Sequence, residues 1–104
     1  MKAIKVKEEY NYPKGITLPE SGAVLAYTSV VFTYDEAGNR SIFSTNRVMG
    51  SLNEIGFNFT IQPSEGQVNN MHPSISTDKW PYGISFEKIT AEFIEYVTAD
   101  TANL

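Results

Sequence analysis

Cysteine is missing from the chain altogether. That excludes disulfides, thiolate metal sites and a cysteine nucleophile. It also favours an intracellular origin, because small exported domains usually rely on such cross-links. Long apolar runs are missing too: no stretch approaches the ~20 residues that cross a bilayer, so no membrane partner is expected. The lysines of the opening MKAIKVKEEYNYPKG have no apolar segment behind them. No signal peptide is read there, and synthesis in the cytoplasm is expected. Without an export signal, the acceptor triplets NRS at Asn39 and NFT at Asn58 are read as chance.

Histidine is nearly absent: His72, in NNMHPS, is the only one. A histidine metal site needs more ligands than that unless subunits share it, and a nucleophilic triad lacks its partners. Positive charge is scarce as well. The net charge of −4 disfavours nucleic acid as a partner, since phosphate binding needs a basic surface. Lys2, Lys5 and Lys7 form a small basic patch that reads as the solvent face of an edge strand, where lysine discourages stray pairing. The seven glycines are scattered as turn punctuation and build no phosphate loop. Carboxylates are the remaining route to chemistry. Asp35 and Glu36 are neighbours and diverge at a solvated tip, DEAGN is too short for a calcium loop, and no pair spaced for glycoside cleavage is visible. No catalytic residue, cofactor or metal ligand is assigned, and no enzymatic activity is expected.

What is present is apolar and β-prone. Hydrophobic content of 41% against 19% charged belongs to a folded chain, and 104 residues make one domain. AIKVKEEY alternates, with Ile4 and Val6 one way and Lys5 and Lys7 the other, as in a half-buried strand. NYPKGITLPESG is an irregular connector that Ile16 and Leu18 pin to the core. Val24 to Tyr34 is the strongest strand signal, rich in Val, Tyr, Thr and Phe. DEAGN supplies a turn, because Gly38 and Asn39 both tolerate positive φ. RSIFSTNRVM is the return strand, so Val24 to Val48 reads as a β-hairpin. GSLNEIG breaks the pattern at Gly50 and Gly56, and FNFTI places Phe57, Phe59 and Ile61 on one face.

Residues 63–81 then form a long polar loop, of a kind that often acts as a binding arm, with room for a short strand near Ile75. For ISFEKITAEFIEYV, a helical period gathers Phe86, Ile89, Phe93, Ile94 and Val97 on one face, with Lys88, Glu92 and Glu95 opposite and Ser85 as a cap. A strand over 85–98 is the alternative. Residues 99–104 read as a flexible tail. The expected fold is mainly β: a small antiparallel β-sandwich or barrel-like domain with a C-terminal helix as an option.

Val24 to Tyr34 carries apolar residues on both sides. Val24, Ala26, Val30, Phe32 and Tyr34 lie on one face, and Leu25, Tyr27 and Val31 on the other. Continuous apolar strands occur where both faces are covered. The outer face needs either the C-terminal helix or a partner chain, and exposed apolar patches mark interaction surfaces. Contact residues are therefore expected at Leu25, Tyr27 and Val31, and on the polar arm at Met71, Trp80 and Tyr82. The aromatics Tyr10, Tyr12, Trp80 and Tyr82 have two readings, a stacking platform for sugars or peptides or a seal over the ends of the core.

The order strand, GITLPESG, long strand, turn, SIFSTNR, from Lys2 to about Arg47, resembles small β proteins among the virion genes of tailed bacteriophages. In those, a short strand leads through a Gly-Ile/Val-x-Leu/Val-Pro-x-x-Gly step into a hairpin. The resemblance implies a structural component of the capsid, neck or tail that works by assembly. Its partners would be copies of itself or other virion proteins, and its location would be the virion. It carries over no site residues. The alternative is a small carbohydrate- or peptide-binding module using the loop aromatics.

Overall fold

The computed structural model describes residues 3–62 and 86–104. The predicted polar arm with Met71, Trp80 and Tyr82, the strand near Ile75, the Ser85 cap and the Phe86 side chain lie outside those residues. In chain order the elements are β1 (Lys7–Tyr12), β2 (Ile16–Thr17), β3 (Val24–Leu25), β4 (Thr28–Tyr34), β5 (Arg40–Thr45), β6 (Val48–Leu52), β7 (Ile55–Phe59) and α1 (Phe86–Asp100). They form two antiparallel sheets, a first of order β1-β4-β5 and a second of order β2-β3-β6-β7. The fold is mainly β and sandwich-like, and among the described residues the sheets do not close into a barrel.

The predicted long strand is two strands. Leu25 points inward from the second sheet, and Thr28, Val30 and Phe32 point inward from the first, all at most 1% exposed. Ala26 and Tyr27 between them both face out. The inward phase thus jumps by three residues where the chain passes from one sheet to the other. The return strand repeats the jump: Thr45 lies across from Val30, and the next inward residue is Val48, fully buried. Such bends are how strands switch between packed sheets. The two corners are side by side and Asn46 ties them. Its Oδ1 accepts from the Ser29 N–H at 2.9 Å, and its Nδ2 donates to the Tyr27 carbonyl at 3.1 Å. The Ala26 N–H donates to the Met49 carbonyl at 2.7 Å.

The hairpin tip forms as expected. Gly38 takes φ of +88°, and the Asp35 carboxylate accepts from the Asn39 backbone N–H at 2.8 Å. GSLNEIG, however, is not a break. Gly50 and Gly56 sit inside paired strands, and the turn is Asn53–Glu54, both at positive φ (51° and 68°). A Cβ on Gly50 would come within 2.6 Å of the Phe57 ring and 2.8 Å of a Leu25 methyl. The glycine is where the core needs room for an aromatic ring. Gly15 has a backbone reason: at φ of +79° its Cβ would stand 2.0 Å from the Leu25 carbonyl oxygen.

The helical reading of the last segment is correct. Ile89, Phe93 and Val97, four residues apart, are at most 1% exposed, and the Phe93 ring meets Phe59 edge-on at 5.1 Å. Phe57, Phe59 and Ile61 share the core as predicted. Each large side chain buried this way stabilises the fold by roughly 1.5–3 kcal/mol. Glu92 corrects the predicted polar face. It is 8% exposed because its carboxylate accepts from the backbone N–H groups of Glu20 (2.5 Å) and Ser21 (3.1 Å). The tail is also not free from residue 99. Helix α1 runs to Asp100, and Thr101 is 2% exposed and donates to the Val97 carbonyl at 2.7 Å.

Candidate contact surfaces

Leu25 cannot belong to an outer face, since it is 1% exposed in the core. The expected Leu25/Tyr27/Val31 face assumed one uninterrupted alternation, and the corner at Ala26–Tyr27 ends it. Tyr27, 49% exposed, and Val31, half-buried, do face outward. They are joined on the outside of the first sheet by Phe43, the residue added to β5 where the β4–β5 register shifts. The rest of that face is polar: Lys7, Glu9, Asn11, Ser29, Thr33 and Ser41. Lys7 Nζ lies 4.6 Å from the centre of the Phe43 ring, and the Ser29 hydroxyl donates to Glu9 at 3.1 Å. The C-terminal helix does not cover this face. Its buried residues join the core between the sheets.

The outside of the second sheet is the more apolar surface, and sequence reasoning missed it. Val24 is 51% exposed and Met49 47%, and with Ala26, Gly50 and Ser51 they line a shallow depression over β3 and β6. An unbroken alternation puts Val24 on the face of Val30 and Phe32; the phase jump turns it outward. Met49 could have been found from RVMGSL, where it alternates with Val48 and Gly50. Asn58, opposite Met49 in the β6–β7 register, is 7% exposed, so its sequon does not offer an accessible amide. Ile4 and Val6 correct another expectation. The first strand begins only at Lys7, leaving them 70% and 59% exposed.

Polar groups cluster instead at one end of the first sheet's inner face. The Tyr34 hydroxyl donates to Glu8, and Lys5 Nζ bonds the other carboxylate oxygen at 2.9 Å. The Tyr34 hydroxyl first, and Lys5 second, hold Glu8 at about 2, well below the ordinary carboxylate value. Arg40 stacks 4.2 Å over the Phe32 ring. It donates to the Thr98 carbonyl at 2.7 Å and the Thr101 hydroxyl at 2.8 Å, where a cation complements the negative end of a helix. Tyr12 donates to Asp100 at 2.7 Å, and burial first, with that bond second, raises its hydroxyl well above the ordinary value. Tyr10 meets Phe32 edge-on at 6.0 Å. Tyr10 and Tyr12 therefore seal the core. This cluster fastens the helix to the sheet, and its carboxylate is committed to three neighbours.

Among the described residues no group of three or more His, Asp or Glu side chains stands together as a metal site, and no helix is long and apolar enough to cross a membrane. Comparison of the chain with protein-family models, with curated proteins and with solved structures returned no match.

Proposed function

We propose that this protein is a non-enzymatic structural component that works through protein–protein contacts in a multi-subunit assembly. The setting proposed is a bacteriophage particle, which the first half of the sequence resembles. The observation that carries this reading is the pair Val24 and Met49, each about half exposed on the outside of the second sheet. The described core is already filled by Leu25, Phe32, Phe57, Phe59 and Phe93. These outer residues are therefore not needed to hide the interior. Apolar side chains grouped in the middle of a sheet face, flanked by small residues that let another surface approach, suit a contact area.

The experiment is sedimentation velocity on the full chain, beside a Met49→Asp variant and a Tyr27→Asp variant, with the purified protein or its source particle imaged in negative stain. Species heavier than the 11.6 kDa monomer are expected. Met49→Asp should weaken association while the melting temperature stays within ~4 °C, because a surface change rarely exceeds ±0.5 kcal/mol. A strict monomer that neither variant alters, with no place in any particle, overturns the reading.

A further inference from the structure

Among the described residues, strand β1 ends the first sheet and pairs only with β4. Its pairing fixes which backbone groups are free. The Tyr34 N–H donates to the Val6 carbonyl at 3.0 Å, continuing the register in which Glu8 faces Phe32 and Tyr10 faces Val30. Even-numbered residues therefore turn their N–H and C=O groups toward β4. Lys5, Lys7, Glu9 and Asn11 turn theirs to the open edge, and all four are exposed. An open edge is a template for another strand unless something prevents it. Lysines on an edge ordinarily do so. Here the outer-face side chains of β1 are Lys7, Glu9 and Asn11, while the Lys5 ammonium turns to Glu8 and the Tyr34 ring, so a suitable partner sequence turns repulsion into attraction.

We propose that β1 pairs antiparallel with β1 of a second copy of this chain, joining two three-stranded sheets into one. The register places Lys7 opposite Glu9 of the other copy and Lys5 opposite Asn11. Three observations select it. First, only registers that match odd-numbered residues with odd-numbered residues bring free N–H and C=O groups together. Second, a slide of the pairing in one direction sets Lys7 against Lys7 and in the other sets Glu9 against Glu9, and like charges directly opposite are unfavourable. Third, this register sets Val6 beside the partner's Tyr10 and Ile4 beside its Tyr12. It thereby gives apolar neighbours to two side chains that are 59% and 70% exposed in the single chain. Glu8 meets its own copy at the two-fold axis, but each Glu8 is already bonded by Lys5 at 2.9 Å and has Arg40 at 3.9 Å. Pro13 lacks an N–H and ends the pairing. This inference deepens the assembly reading and rests on it, but it uses a different surface from Val24 and Met49.

The test is a charge swap in the full chain, followed by sedimentation velocity from about 10 μM to about 1 mM, the weak end of specific association. The unaltered protein should dimerise reversibly. Lys7→Glu alone and Glu9→Lys alone should each raise the dissociation constant about tenfold or more, since each makes two like-charge pairs per dimer. An equimolar mixture of the two variants should recover the dimer, because each strand then supplies the charge its partner needs. Recovery in the mixture also shows that both variants are folded, and that loss of the Lys7–Phe43 contact is not the cause. A monomer throughout, or a dimer indifferent to either reversal, overturns the proposal. If Met49→Asp abolishes a dimer that the reversals leave intact, the edge proposal falls and the assembly reading stands. If the chain is monomeric but enters a particle unchanged by the reversals, the same division holds.

Discussion

The two sheets differ in how far their inner faces are apolar. The second sheet is apolar within, at Ile16, Leu25, Val48, Leu52, Phe57 and Phe59, and it keeps Val24 and Met49 half exposed outside. The first sheet is apolar within only along part of its length, at Val30, Phe32 and Ile42. Beyond that its inner face turns to Glu8, Tyr34 and Arg40, and its outer face is mostly charged or hydroxylic. The difference follows from what each inner face meets. The second sheet lies against the apolar side of the helix and needs no hydrogen bonds there. The first extends under the helix C-terminus, where unsatisfied carbonyls need donors. Arg40 supplies those donors, and Glu8 is placed near its charge.

A pair of substitutions two residues apart tests this division most strongly. Leu25→Ala should destabilise the fold by about 2–5 kcal/mol, as expected for a buried leucine leaving a cavity. Tyr27→Ala, one corner further on, should change stability by no more than about 0.5 kcal/mol, because its ring is half exposed and its hydroxyl makes only a marginal contact with Asn11, 3.5 Å long. Chemical denaturation of both variants decides it. Similar losses at the two sites would mean that they share a face and that the corner is wrongly placed.

Asn46→Ala should come next, at about 1–3 kcal/mol, because the Ser29 N–H and the Tyr27 carbonyl lose their partner at a bend where the ladder cannot replace it. Asn46→Asp should recover only part of this. It keeps an acceptor for Ser29 and removes the donor to Tyr27. Hydrogen exchange at Ser29 reads the corner directly, and protection unchanged in the alanine variant would show that the sheets are joined by something else.

These two sites also show how far the sequence is legible. Alternation within β4 and β7, the Asp35–Asn39 turn and the 3.6-residue period of the helix are all local, and they are readable because each is set by neighbours in the chain. The corner is not local. A ribbon with one buried face, bent once, has the same composition as a ribbon buried on both faces, because the inward phase jumps from Leu25 to Thr28 and from Thr45 to Val48. Gly50 looks like a strand breaker until Phe57 is seen to fill its place. Glu92 fits a solvated helix face until the Glu20 and Ser21 amides arrive from 72 and 71 residues away. The outward faces are accordingly half legible: Tyr27 and Val31 do face outward, Leu25 is in the core, and the exposure of Val24 and Met49 depends on the bend.

A smaller effect is expected at the hairpin that belongs wholly to the second sheet. Asn53 and Glu54 both have positive φ, the signature of a two-residue turn that prefers Asn-Gly. Asn tolerates that conformation and Glu does not, at a strain of about 1 kcal/mol. Glu54→Gly removes the strain but adds freedom to the unfolded chain, so a net gain of about 0.5 kcal/mol is expected. A loss on thermal denaturation would mean that the glutamate side chain has a contact that outweighs the strain.

The smallest effect separates the sheets by pH. Glu8 has a folded value of about 2, below its ordinary 4.5. A carboxylate depressed on folding stabilises the fold fully above its ordinary value, and that stabilisation is lost as pH falls from about 4.5 toward about 2. The second sheet's inner face has no ionisable group to add to it, whereas Asp35 at the hairpin tip, lowered by its bonds to Asn39, contributes with the same sign. Glu8→Gln should therefore lower the urea midpoint at neutral pH slightly and flatten the acid limb without abolishing it, since Asp35 still contributes. The effect is small because the cluster is partly open to solvent, which screens its ion pairs. A variant whose acid limb is as steep as the unaltered protein's would show that Glu8 ionises as freely in the unfolded chain. The first sheet would then hold the helix through Arg40 and the Tyr12–Asp100 bond, with nothing added by the Glu8 charge.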